Sequence, residues 1–271
     1  MKKEIIVYSK YGTKFGQYIR NMKKVWRSFS LIEYYTSQTL PKLIKNKTIP
    51  YPSYNDLIQG SKHTQMMRRE TTFGMLTHVR ILQNPRASLL AALQLFEVYI
   101  SDITALVYFD YPKRGIGEKK AEFEEKIIDI IIESNDKKEI LERLIEEKIR
   151  GIFYGNIANV FIKDELHLEL KDTFKEENAA LIETLKEIIA RRNIYVHNDG
   201  RVDSKYLRET KRKDIKLNAV LQTDAIYLRD AILVMNEIAK LTTIAIIQNI
   251  YKGVAKGKQL CATYWTNPKK A

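Results

Sequence analysis

Within the ten residues RRNIYVHNDG, Arg191 to Gly200, the chain gathers two arginines, an asparagine and a histidine ahead of a turn signal. An imidazole titrates near neutrality, so His197 can take a proton from a hydroxyl or return one to a leaving oxygen. Arg192 stays charged and offers a fixed fork of donors that matches phosphate oxygens. Asn193 can orient a neighbour or donate to an anionic oxygen. A base, a phosphate-holding cation and a dipolar helper are what RNA cleavage by its own 2′-hydroxyl needs. That hydroxyl is deprotonated, attacks the adjacent phosphorus, and the added negative charge is stabilised. The route requires neither a metal nor a cofactor.

The segment that must position these groups is EENAALIETLKEIIARRN, with apolar residues at Ala180, Leu181, Leu185, Ile188 and Ile189. This is the spacing of an amphipathic helix. Residues four apart share a helix face, which stacks Asn193 and His197. Arg192 lies one step round, so all three converge only if the last turn loosens at the β-prone pair Tyr195-Val196. Asn198-Asp199-Gly200 then stops the helix, with Gly200 free to take a positive φ. A plain capped helix end explains the same residues, because histidine and arginine there favour the dipole. With 15 Arg and 4 His in 271 residues, an Arg five residues before a His arises about 0.2 times by chance, so context has to decide.

The context is helical. ASLLAALQLFEVYISDITALVYF is apolar on almost every turn, with sparse polar members such as Gln94, Glu97, Ser101 and Asp102, which predicts a central buried helix. AEFEEKIIDIIIES and SNDKKEILERLIEEKIRGIF predict two more, the latter opened by a capping box of Asp136 and Glu139. LNAVLQTDAIYLRDAILVMNEIAKLTTIAIIQNIY predicts a long final helix. Strict strand alternation is scarce, so the expected fold class is all-α, a helical bundle with a basic, partly helical N-terminal extension. The expected divisions are a basic N-terminal region at 1–84, a helical domain at 85–253 and a fraying tail at 254–271. EIIVYS is too short to assign to strand or helix, and NKTIPYPSYNDLIQGSK reads as an extended loop.

Charge is unevenly spread. Residues 1–84 carry 15 basic and 4 acidic side chains, against 31 and 29 in the rest of the chain. Tyrosines and tryptophan interleave with the N-terminal cations, a composition that attracts polyanions and can stack on bases; a solvated lysine-rich surface has the same composition. The single cysteine, Cys261, excludes an intramolecular disulfide and a thiolate-built zinc site. No signal core, and no apolar run near the roughly 18 residues of a membrane span, is evident, so a cytoplasmic setting with no membrane partner is expected.

The order Arg, polar residue, three residues, His at the end of a helix resembles the HEPN superfamily, whose ribonucleases carry an Arg, four to six residues, then His. The longer string RRNIYVHNDGRVDSKYL is similar to the prokaryotic toxin and phage-defence branches, as is SLLAALQLFEVYISDI with Glu97 in an apolar surround. The resemblance covers roughly residues 86–250. It implies a helical bundle and a homodimer that brings two Arg–His motifs to a shared, composite cleft. It further implies metal-independent endoribonuclease activity, leaving 2′,3′-cyclic phosphate and 5′-hydroxyl ends. Carried over, Arg192, Asn193 and His197 are the catalytic set. The partners it implies are RNA, a second copy of the chain, and an antitoxin or other regulatory protein. The alternative is a non-catalytic HEPN-like module that binds nucleic acid or a partner protein.

Other residues support or compete with that set. Glu97, if buried, needs a partner, and an arginine of the 191–192 pair would make it an orienting group. Arg191 is a candidate RNA contact, as are Arg201, Lys205, Arg208, Lys211 and Arg212 downstream of His197. His167, near Asp164 and Glu165, lacks a second histidine or cysteine at ligand spacing, so no metal site is expected. GIG at 115–117 follows no strand and lacks the lysine-serine context of a phosphate loop.

Overall fold

A helix that is apolar all round has to be surrounded by other elements. The computed structural model describes residues 2–43, 48–52, 64–116, 130, 133–134, 136–153, 157–170 and 172–266. In chain order they form α1 (Lys2–Leu43), the strands β1 (Thr48–Pro52) and β2 (Thr64–Arg68), α2 (Arg69–His78), a π-helical turn (Val79–Gln83) and α3 (Asn84–Asp110). Then follow α4 (Pro112–Ile116), α5 (Lys137–Phe153), α6 (Ile157–Lys163), α7 (Ala179–His197), α8 (Ser204–Thr210) and α9 (Ala225–Ala245), which runs on into a second π turn (Ile246–Ile250). The fold is all-α, with one antiparallel two-stranded ribbon that pairs Thr48 with Arg68 through Pro52 with Thr64. Part of the expected loop is therefore strand, in a ribbon narrow enough that the prolines of β1 need not donate on both sides.

α3 is the axis of the bundle, packed by α1, α5, α7 and α9. Leu89, Leu93, Phe96, Ile100, Ile103 and Val107 are buried along it, at steps of three and four. Each such side chain contributes about 1.5–3 kcal/mol when taken out of water. Contrary to expectation, the helical run Arg69–Asp110 is long and apolar enough to cross a bilayer, by length and composition; 44% of its most apolar window is buried within the bundle.

Two expected boundaries are corrected. The division at residue 84 does not separate two cores, because Tyr11, Phe15, Tyr18, Ile19, Met22 and Phe29 of α1 share one cluster with Phe96 and Ile238. EIIVYS belongs to that same helix. The segment after Gly253 does not fray as far as Thr266. Leu260 is in the core, and the Tyr264 amide donates to the Glu237 carboxylate at 2.9 Å. The reason is a buried Glu237–Lys240 pair on α9 whose ammonium also donates to the Ala262 carbonyl at 2.9 Å.

The capping residue of α5 is as read: the Asp136 carboxylate accepts from the Lys138 and Glu139 amides at 2.7 and 2.8 Å. The helix expected over AEFEEKIIDIIIES falls mostly outside the described residues. After α6 the backbone turns through positive φ at Asp164, His167 and Glu169. The Asp164 carboxylate is engaged there by the Leu168 amide at 2.8 Å.

Candidate active site

α7 carries the sequence cluster on its final turns. Leu181, Leu185, Ile188 and Ile194 anchor it in the core, and the helix stays regular through His197. The last turn does not loosen at Tyr195-Val196, the condition for all three side chains to converge. Both residues remain helical, and the Tyr195 hydroxyl is tied to Thr223 Oγ1 at 2.7 Å. At about 100° per residue, Arg192 and His197 therefore project about 140° apart, while Asn193 and His197 share a face. On this helix Asn193 shares a face with His197 and Arg192 does not.

Arg191 and Arg192 have opposite fates. Arg191 is buried. Its Nε donates to Glu187 Oε1 at 2.9 Å, its Nη1 to the Gln222 carbonyl at 2.9 Å, and its guanidinium lies 3.8 Å from the Tyr227 ring centre. Glu187 also accepts from the Tyr206 and Tyr227 hydroxyls, which welds α7 to α8 and α9. The candidate role of Arg191 as an RNA contact is thus corrected, because its donors and its ring-facing plane are already occupied inside the protein.

Arg192 is about one-third exposed, with Nη1 donating to Asn193 Oδ1 at 3.1 Å and Nη2 4.0 Å from Glu97 Oε2. Burial pushes the Glu97 carboxyl above its ordinary range, and Arg192 pulls it partly back. Glu97 does meet an arginine of the pair, and it is Arg192. The rest of the guanidinium fork remains open to an anion.

His197 is exposed, and its imidazole makes no hydrogen bond or ion pair to another described residue. The helix end does not need it as a cap. The Asn198 and Gly200 amides both donate to the Ile194 carbonyl at 2.9 Å, with Asp199 at φ 46° and Gly200 at φ 77°. That turn is held from α3 by Arg86, a residue that no local motif marks. Arg86 donates to Asp199 Oδ1 at 2.9 Å and to its carbonyl at 3.2 Å, and lies 4.7 Å from the Tyr195 ring centre. A Cβ on Gly200 would come within 2.5 Å of the Arg86 guanidinium.

Beyond the turn, residues 200–202 hydrogen-bond with 218–221, and α8 packs on α7. Arg201, Lys205, Arg208, Lys211 and Arg212 are all exposed. Lys205 lies 3.9 Å from Glu209, and Arg212 is paired with Asp214, so Arg201, Arg208 and Lys211 are the cations without a carboxylate partner among the described residues. A groove of about 390 Å³ between α3 and α5 is lined by Ser101, Asp102, Glu142, Glu146 and Arg150 and includes none of the cluster. In the cluster itself Arg192 and Asn193 are half-buried and His197 is exposed. Comparison with protein-family models, curated proteins and solved structures found no match to the chain.

Proposed function

We propose that the chain is a metal-independent endoribonuclease of HEPN type that works as a homodimer. His197 exchanges the proton of the 2′-hydroxyl, and Arg192 holds and neutralises the scissile phosphate. Asn193, which accepts from Arg192 and shares a face with His197, assists both. The observation that carries this reading is the state of His197. It stands exposed at a helix end already capped by backbone amides and clamped by Arg86, so it is held in place without being consumed by the fold. A toxin or phage-defence setting, with an antitoxin or other regulator, rests on the sequence resemblance alone.

The separation of about 140° between Arg192 and His197 has a direct bearing on the mechanism. A site that uses both needs a second copy, so that Arg192 of one protomer faces His197 of the other. The same separation favours the runner-up, a non-catalytic module whose exposed α7 end binds RNA or a protein. Incubation of wild type and His197→Ala with total RNA in excess chelator distinguishes them. Cleavage by wild type alone, with RNA binding kept in the variant, supports the enzyme; no cleavage by either across several RNAs supports the module.

A further inference from the structure

We propose that the solvent face of α1 is a track for single-stranded RNA, with cations at one end and stacking rings at the other. The choice of RNA as occupant rests on the ribonuclease reading above. Taking Arg20 as zero on a helical wheel of about 100° per residue, Arg20, Lys23, Lys24 and Arg27 fall within about 60° on either side. Tyr34 and Tyr35 fall in the same sector, about one turn beyond Leu31. All six are exposed. The opposite face is the one that enters the core, through Tyr11, Phe15, Tyr18, Met22 and Phe29.

Two features set this face apart from an ordinary solvated surface. No acid lies within the sector: Glu33 is on the far side, where Arg80 Nε binds it at 2.7 Å. Helix faces that are merely solvated usually mix both signs of charge. Among the described residues the four cations have no carboxylate partner, so their field is not neutralised locally. Second, Tyr34 and Tyr35 are 58% and 63% exposed and pack edge to face, with ring centres 5.4 Å apart. Paired rings in water beside a run of cations provide what an unpaired strand needs: phosphates track the charges and bases stack on the rings. A duplex hides its base faces and would use only the charges. From Arg20 to Tyr35 the face is about 22 Å long, enough to engage several nucleotides.

The test uses the full chain and a fluorescein-labelled 20-nucleotide 2′-O-methyl oligouridylate, which lacks the attacking hydroxyl and so reports binding without cleavage. Affinity is measured over a range of salt, alongside a 2′-O-methyl duplex of equal length. Arg20→Gln/Lys23→Gln/Lys24→Gln/Arg27→Gln is expected to reduce the log–log salt slope by about 3, from four contacts at about 0.7 each. Tyr34→Ala/Tyr35→Ala is expected to weaken single-strand binding about tenfold or more, leaving the slope and duplex binding unchanged. An unchanged slope in the first variant, or equal affinity for duplex and single strand in wild type, overturns the proposal. So does a tyrosine variant that changes only sedimentation, because the face would then be a contact between copies. Cleavage is scored separately on unmodified RNA: a wild type that never cleaves but shows both expected losses removes the ribonuclease reading and leaves the track standing.

Discussion

Glu97 of α3 and Arg192 of α7 meet at 4.0 Å, linking the central helix to the guanidinium of the candidate site. Its cost is legible in Glu97, whose carboxyl burial raises above its ordinary range. A carboxyl with a raised folded pKa contributes stability that is complete below its unfolded value, about 4.3, and lost as pH rises through the folded value. Glu97→Gln does not titrate and so escapes that loss. The melting temperature of the variant relative to wild type is expected to climb across that window and level off above it. A difference that is flat with pH would show that Glu97 is not held in the raised state.

The Glu187–Arg191 pair is a buried polar joint at this end of the bundle, with side chains only 14% and 7% exposed. Removing one partner leaves the other charge buried. Glu187→Ala is expected to cost about 3–5 kcal/mol in urea denaturation, whereas Glu187→Gln, which keeps one acceptor oxygen and fills the same space, is expected to cost less. A loss under 1 kcal/mol in Glu187→Ala would mean that the network does not fix α7.

Gly200 and Arg86 form a coupled pair. Gly200→Ala meets both a left-handed backbone, at about 1–2 kcal/mol, and the guanidinium that a Cβ would approach within 2.5 Å. Arg86→Ala removes the second obstacle together with the grip on Asp199. A double-mutant cycle is expected to show the combined loss smaller than the sum of the single losses. Strict additivity would contradict the close approach.

If the site is composite, Arg192→Ala and His197→Ala are each inactive as homodimers. Their mixed dimer retains one intact pair, Arg192 from one copy and His197 from the other. Mixing equal amounts with subunit exchange is expected to restore about a quarter of wild-type cleavage, since half of the dimers are mixed and each has one of two sites. No recovery, with exchange verified, would place both residues in one protomer's reaction.

The helices and the turn at the site were legible from local chemistry. Apolar spacing marked α3, α7 and α9, Asp136 marked the start of α5, and Asn198-Asp199-Gly200 marked the end of α7 with Gly200 at positive φ. What failed was long-range. Nothing near Arg86 announces Asp199, 113 residues away. The aromatic face of α1 was hidden among lysines, although Tyr11, Phe15, Tyr18 and Met22 keep helical spacing. The inward turn of Arg191 has a local signal in the sequence, a glutamate four residues earlier at Glu187. The tail is held by Glu237 and Lys240 of α9, a contact that no property of residues 254–266 specifies.

The central claim is that His197 moves the proton of an RNA 2′-hydroxyl. It is tested most directly with an RNA oligonucleotide that the wild type cuts in excess chelator, prepared also with a single 2′-deoxynucleotide at the cut position. Cleavage is expected to leave 2′,3′-cyclic phosphate and 5′-hydroxyl ends, and to vanish with the deoxy substitution and with His197→Ala. Cutting that survives either change, or that leaves 5′-phosphate ends, would contradict the account.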